Sequence, residues 1–326
     1  MSARTKERGY AFLLAIFVVA VLALLVLAAA RVFSDMQTSQ ARLQQGGARR
    51  IEAESVMAHV AFAILTGRSE ARAVRLRGDD ELRLDGRWQR LALEPQTLIA
   101  VQDEAGLINL NDADAQALGQ LLNDLTGASE SEALAAAMAD FADGDDLVRE
   151  GGAEADRYAA EALPAPSNRP IVSRWQALEV LGWREAVSAR ARVWDVIAAG
   201  PSEAALNVNT APLEVLAAIF ADRRAAMDFA QEREVAPLTD LAQLEARLGN
   251  AAHAPSAGFA IAPGRRFRVQ AVFGSRSGFD GFERLLQLEN AEAQRPFRWL
   301  QERSIGLAPS RHDQEVTTIA LDAAAS

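Results

Sequence analysis

Asp140, Asp143, Asp145 and Asp146 crowd one short stretch of the chain, and Glu154 follows just after Gly152-Ala153. Carboxylates at this density repel one another unless water solvates them or a cation bridges them. Ca2+ takes six to eight oxygen ligands, and loops of D-x-D type supply them. The spacing is not that of an EF-hand, which needs a bidentate Glu at a fixed position. The residues alone therefore leave two readings, a solvated acidic loop or a metal-binding site.

Other chemistry is thinly supplied. There are no cysteines among the 326 residues, which excludes disulfides, thiolate zinc sites and cysteine nucleophiles. The histidines, His59, His253 and His312, are far apart. Gly274-Ser275-Arg276-Ser277-Gly278 has the outline of a nucleophile elbow, but Arg stands where the nucleophile belongs. No Walker loop, dinucleotide fingerprint or H-E-x-x-H occurs. The expectation is a protein that is not an enzyme. A net charge of −10 also argues against nucleic acid as a partner.

The elements that must carry these residues begin with an uncharged apolar run at residues 10–30. As a helix it would span roughly 30 Å, the thickness of a bilayer core. Thirteen of its residues are Leu, Ile, Phe or Val, worth about 4–8 kcal/mol on insertion. Arg4, Lys6 and Arg8 precede it, which keeps the N-terminus in the cytoplasm and exports the rest. Three readings fit: a plain anchor, a secretory signal cut after Ala28-Ala29-Ala30, or a basic leader ending at Gly9 of the kind that a prepilin peptidase removes. Past the membrane run the helix-forming composition continues to about residue 65, with Val56, Val60, Ala63 and Ile64 on one face and Gly46-Gly47 as the expected kink.

Residues 81–93 alternate around Asp85-Gly86, the signal for a β-hairpin with a type I′ turn, and 98–102 read as a third strand. From Leu107 to about Ala262 the periodicity is helical. Leu118, Leu121, Leu122 and Leu125 share a face, as do Leu241, Leu244 and Leu248 before a stop at Gly249. Ser129 with Glu132, and Ser173 with Gln176, have capping-box spacing, and Gly182 is a plausible helix stop. Alternation resumes at 266–273, 281–289 and 297–301. Trp88, Trp175, Trp183, Trp194 and Trp299 are expected in the core. The pattern Ile108-Asn109-Leu110-Asn111-Asp112 recurs as Leu206-Asn207-Val208-Asn209-Thr210, each time before a helical stretch. The second Asn, or the residue after it, is placed to cap that helix. A helix-hairpin-helix DNA module can open with this pattern, but the Gly-hydrophobic-Gly hairpin that binds phosphate is missing.

In this order the pieces resemble the minor pseudopilin K family of type II secretion systems. The resemblance covers roughly residues 4–300 and rests on several motifs. These are the Gly9 leader with Leu14 where most pilin-like proteins carry Glu; Asp103-Glu104-Ala105-Gly106 before the first Asn motif; Asp140 to Asp145; Gly152-Ala153-Glu154 with Tyr158; Pro166-Ser167-Asn168; and 206–212. Phe141 departs from a usual Trp, and Tyr10 is an uncommon first mature residue.

The resemblance implies an α+β fold. A pilin-like long N-terminal helix, transmembrane in its first half, packs on a small antiparallel sheet, with a large all-helical domain inserted between strands. The divisions are a leader at 1–9, the membrane half of the helix at 10–30, periplasmic helix and first strands at 31–106, and the insert at 107–262. Returning strands follow at 263–303 and a flexible tail at 304–326. The resemblance further implies Asp140, Asp143, Asp145 and Glu154, with Asp146, as ligands of a structural Ca2+. It implies processing between Gly9 and Tyr10 by a prepilin peptidase, and a tip-specific membrane position at Leu14. The expected location is the bacterial inner membrane, crossed once, N-terminus cytoplasmic and bulk periplasmic. The expected role is at the tip of the pseudopilus, in assembly and protein export across the outer membrane. The expected partners are pseudopilins I and J, the major pseudopilin and the inner-membrane secretion platform. A membrane-anchored periplasmic enzyme and a helix-hairpin-helix DNA-binding factor are the alternatives.

Overall fold

The structure is a computed structural model that describes residues 4–94, 96–201, 205–248, 258–275, 278–290, 294–307 and 316–321. It forms two compact units, Met1–Ser55 and Val56–Ser326. Helix α1, Arg4–Thr66, begins in the first. It passes Gly46 and Gly47 without a break. The helix continues there because Ala, Arg and Gln on either side favour it. Side chains in its first half are described at 16–28 and at scattered positions beyond. Those of Gly9, Tyr10 and Leu14 lie outside the description. Ile16 through Leu27 expose their large apolar side chains, Phe17 at 65% and Val26 at 69%. Among the described residues no helix is long and apolar enough to cross a membrane.

In the second unit, Val56, Met57, Val60, Ala61, Ala63 and Ile64 form the buried stripe of the last turns of α1. Gly67 ends the helix, where a Cβ would stand 2.7 Å from the carbonyl of Ala63. Short strands β1 (Arg68–Ser69), β2 (Ala73–Arg75) and β3 (Glu81–Arg83) make one antiparallel sheet. The main sheet has six strands. These are β4 (Gln89–Leu91), β5 (Thr97–Asp103), β10 (Arg266–Ser275), β11 (Gly278–Leu288), β12 (Phe297–Leu307) and β13 (Thr317–Ile319), in the order β12-β11-β10-β5-β4-β13. It is antiparallel except for β13 alongside β4.

The expected 81–93 hairpin does not form. β3 pairs with β2, and β4 pairs with β5 and β13. The Gln89 side chain supplies the link that a ladder would have made, donating to the Glu81 carbonyl at 2.8 Å and accepting from the Arg83 N–H at 2.8 Å. Gly86 does turn, with φ +74°, and Asp85 is drawn away to bridge Gln102.

β5 and β10 are neighbours in full antiparallel register, Asp103 opposite Phe267. Residues 104–265 therefore leave the sheet and return to it. They carry helices α2 (Ala115–Thr126), α3 (Ser131–Ala142), α4 (Ala155–Ala160), α5 (Trp183–Val187), α6 (Ala191–Val196), α7 (Leu213–Phe220), α8 (Arg223–Val235) and α9 (Leu241–Leu248). The insert is not all-helical. Two parallel strand pairs lie within it, β6 (Ile108–Asn109) with β7 (Ile197–Ala198) and β8 (Leu206–Asn207) with β9 (Phe259–Ala260). Its buried apolar residues, from Ile108 and Leu121 through Trp183 to Phe229 and Leu244, form one continuous cluster.

Local signals were read unevenly. Ser173 and Gln176 do form a capping box, on a 3-10 turn at Arg174–Glu179, and Gly182 takes a left-handed φ of +78° between that turn and α5. Ser129 caps nothing: α3 starts after Glu130 with no side-chain cap. The expected stop at Gly249 lies outside the described residues. Trp183 and Trp194 are core residues, whereas Trp88, Trp175 and Trp299 are half-buried. The tail expected to be loose carries structure: 304–307 complete β12, and β13 buries Ile319 against β4. Its short alternation was too brief to read as a strand without the partner that completes it.

Candidate functional site

α3 presents Leu134, Ala135, Met138 and Phe141 to the core. Asp140 shares that inward side and is completely buried in the last turn. Its Oδ2 accepts from the Ala153 N–H at 2.8 Å, and its Oδ1 accepts from the Arg149 guanidinium at 2.7 Å. Asp143 ends the helix in an extended conformation and takes a second hydrogen bond from the same Arg149 nitrogen. The return turn, Arg149 to Gly152, closes with a 2.8 Å bond from the Gly152 N–H to the Arg149 carbonyl. A Cβ on Gly152 would fall onto Asp140 Oδ2, so only glycine lets the turn lie against that carboxylate.

The other polar groups of the loop are tied down separately. Asp145 accepts from the Leu147 N–H at 2.9 Å. Asn168, in a left-handed conformation with φ +45°, donates to the Asp145 carbonyl at 3.1 Å and to Asp146 Oδ1 at 2.8 Å. Glu154 is 6% exposed at the N-cap of α4 and makes no cap bond. Both its carboxylate oxygens, Asp143 Oδ1 and Asn168 Oδ1 are buried without a hydrogen-bond partner among the described residues. Burial, followed by the charges of Asp140, Asp143, Asp146 and Asp145, pushes the Glu154 carboxyl above the ordinary range. Among the described residues no three His, Asp or Glu side chains are gathered into a finished metal centre. Carboxylate and amide oxygens are the type of donor that a hard cation takes as ligands. A buried acceptor left unpaired costs about 1–3 kcal/mol, more if charged.

The five acidic positions singled out in the sequence are thus in one neighbourhood. Gly152 was read beside Glu154 but without its role against Asp140, and Arg149 and Asn168 were not recognised as parts of the site. The Gly151-Gly152 pair and Asn168 after Pro166-Ser167 are the signals that could have found two of these.

The repeated Asn motif is a second constellation, and it is structural. Asn111 Nδ2 donates to the carbonyls of Ile171 and Gly200, both at 2.9 Å, while its Oδ1 accepts from the Ile171 N–H at 2.9 Å. Asn209 repeats the pattern with Leu238 and Ile261: donations at 2.9 and 3.0 Å and acceptance from the Leu238 N–H at 2.9 Å. In both copies the first Asn accepts from the N–H of the second, at 3.2 Å for Asn109 and 3.1 Å for Asn207. The expected capping role is not what these residues do. Asp114 caps α2, and α7 begins after Pro212 without a side-chain cap.

Asp103 joins the second copy to the sheet. It is completely buried and accepts from Asn207 Nδ2 at 2.9 Å, Thr210 Oγ1 at 3.0 Å, the Ala105 N–H at 3.0 Å and the Gly264 N–H at 3.2 Å. Burial outweighs these four bonds and pushes its pKa up to about 6. Arg268, on β10, donates to the carbonyls of Trp194 at 3.0 Å and Ile197 at 2.8 Å and to Glu104 at 3.2 Å. Arg174 reaches Glu283 of β11, and Trp175 stacks on Trp194 with centroids 4.4 Å apart.

Residues 97–199 match the family model described as Type II secretion system (T2SS), protein K. The fold is similar to that of a chain in the crystal structure of the GspK-GspI-GspJ complex from the enterotoxigenic Escherichia coli type 2 secretion system. The TM-score is 0.51 at 18% identity, over 82% of this chain and 98% of that one. No curated protein matches the sequence.

Proposed function

We propose, on the premise of a type II secretion protein K match across residues 97–199 and a fold shared with a chain of the GspK-GspI-GspJ complex, that this chain is a minor pseudopilin K acting at the tip of a type II secretion pseudopilus. The matched segment contains the acidic loop and the first Asn motif, so sequence and architecture support the same reading. The observation that carries the tip placement is the adjacency of β5 and β10. The sheet closes without residues 104–265, and that bulk serves something other than the sheet. A domain of this size in the path of assembly would deny room to a further subunit. Leu14 agrees, since a subunit with none ahead of it has no use for a membrane carboxylate that costs about 2.5–3.5 kcal/mol unpaired.

The same reading places the chain in the bacterial inner membrane, crossed once by 10–30, with the bulk in the periplasm. The apolar side chains exposed along Ile16 to Leu27 support a lipid environment for that helix. The partners would be pseudopilins I and J at the tip, the major pseudopilin below, and the inner-membrane platform. Prepilin peptidase would cleave between Gly9 and Tyr10. The role is assembly of the export machinery, without catalysis or nucleic-acid binding.

Ca2+ suits the acidic loop. Asp140, Asp143, Asp145, Asp146 and Glu154 would hold it, and Asn168 offers a further oxygen. The ion would supply the positive charge that lets these acceptors stay ionised and close together. Co-purification of the full chain with tagged I and J pseudopilins, with N-terminal sequencing of the mature chain, is the test. A chain that assembles with itself and not with I and J, or that begins near Arg31, overturns the reading. Calcium against chelator should raise the melting temperature by several degrees, since a ligand at 100 times its Kd adds about 2.7 kcal/mol.

A further inference from the structure

We propose that Arg149 is a built-in competitor for the cation of the acidic loop: its guanidinium bridges Asp140 and Asp143 when no divalent ion is bound and withdraws when one binds. The inference rests on the calcium reading above and adds what regulates that site.

One nitrogen, Nη1, donates to Asp140 Oδ1 at 2.7 Å and also to Asp143 Oδ2. Bridging two carboxylates from successive turns of chain is the work of a bound cation, done here by a side chain. Mobility is divided unequally between the partners. Asp140 has no exposed side-chain surface, whereas 46% of the Arg149 side chain is exposed. Arg149 can therefore leave for water while Asp140 stays. Asp140 also keeps its orientation without the guanidinium, because the Ala153 N–H still donates to Oδ2 at 2.8 Å.

Arg149 is an incomplete substitute. It leaves both Glu154 oxygens, Asp143 Oδ1 and Asn168 Oδ1 unpartnered. A planar guanidinium presents its donors in one fork, whereas Ca2+ accepts oxygens all round and at several distances. A single positive charge also balances less of the charge of Asp140, Asp143, Asp145, Asp146 and Glu154 than a double one. The divalent ion should win the exchange, with its affinity reduced by what it costs to displace the arginine. Without the ion, Arg149 keeps the loop from springing apart.

The test uses the full chain in detergent, titrated with CaCl2 by calorimetry and melted in CaCl2 and in chelator, for wild type, Arg149→Gln and Arg149→Lys. Arg149→Gln should bind Ca2+ about three- to tenfold more tightly, melt lower in chelator, and show a wider gap between the two melts. Arg149→Lys, which keeps the positive charge on a shorter and more strongly hydrated head group, should fall between. It also keeps the comparison open if Arg149→Gln does not fold without calcium. Unchanged or weaker binding by both variants overturns the competition and leaves the calcium reading standing. If neither wild type nor variants bind Ca2+, the calcium reading falls and the competitor role falls with it.

Discussion

Gly152 is explained by a neighbour twelve residues earlier in the chain. The turn must touch Asp140 Oδ2, and any Cβ would occupy the carboxylate's own position. Gly152→Ala should cost about 1–3 kcal/mol, as overpacking of a filled site does, and, on the calcium reading proposed above, should weaken stabilisation by the ion at the same time. Thermal melts with calcium and with chelator measure both. Asp103 makes a pH prediction. Its folded pKa, about 6, lies above the ordinary 3.8. The folded chain therefore binds this proton more tightly than the unfolded chain. Its contribution is greatest below about pH 4, declines as pH rises toward 6 and is level above that. The change is on the order of 2–3 kcal/mol. Asp103→Asn should lower stability at every pH, because an amide NH2 would face the Asn207 and Thr210 donors. It should also remove this component of the slope between pH 4 and 6. Denaturant midpoints of the two proteins across that range are the check. An identical slope in both would show that Asp103 is already ionised throughout.

The elements of the insert are organised by two side-chain clamps. In each, an asparagine just after a two-residue strand fastens two distant segments by three hydrogen bonds, and a helix follows. Asn209 is 1% exposed, while Asn111 is only half-buried. Asn209→Ala leaves the Leu238 N–H and the Leu238 and Ile261 carbonyls without their partner, a loss of about 2–4 kcal/mol. Asn111→Ala should cost less, since Asn111 is itself only half-buried and water can enter the space its side chain leaves. Urea unfolding of both variants decides the order, and equal losses would contradict this account. The repeat was plain in the sequence, and its role as two helix starts was the natural local reading. Hydrogen bonds to Ile171, Gly200, Leu238 and Ile261 are long-range, and no local spacing announces them. The hairpin at 81–93 failed for a related reason. Its alternation was read correctly, but Gly86 alone takes a positive φ, so the expected type I′ turn does not form; pairing depends on which other strands compete, and β2 and β5 took the two arms.

At the scale of the whole second unit, the buried apolar cluster running from Ile108 to Leu244 belongs to the insert. Contacts from the insert to the sheet are of another kind: Asp103 to Asn207 and Thr210, Arg268 to Trp194 and Ile197, Arg174 to Glu283. A segment with its own core that is tied to its host by polar bonds should fold alone. Residues 107–262, expressed by themselves, should unfold cooperatively, as measured by circular dichroism and near-ultraviolet signal on heating. A melt without a transition would show that the sheet is required.

By itself the sequence determined the order of parts: a long N-terminal helix, strands, a mainly helical insert, strands again, and an acidic loop inside the insert. These follow from periodicity, from the charge-free run at 10–30 and from the crowding of Asp140 to Asp146, all local properties that any short window reveals. Tertiary structure alone decided that β5 and β10 meet across the insert, and that the tail supplies β13. It also decided that Arg149 and Asn168 belong to the acidic site, that Gly152 lies against Asp140, and that the asparagines clamp instead of cap. Each of these is a meeting of residues distant in the chain. Such meetings are set by which surfaces exclude water together and which buried polar atoms find partners, and that competition is settled over the whole fold.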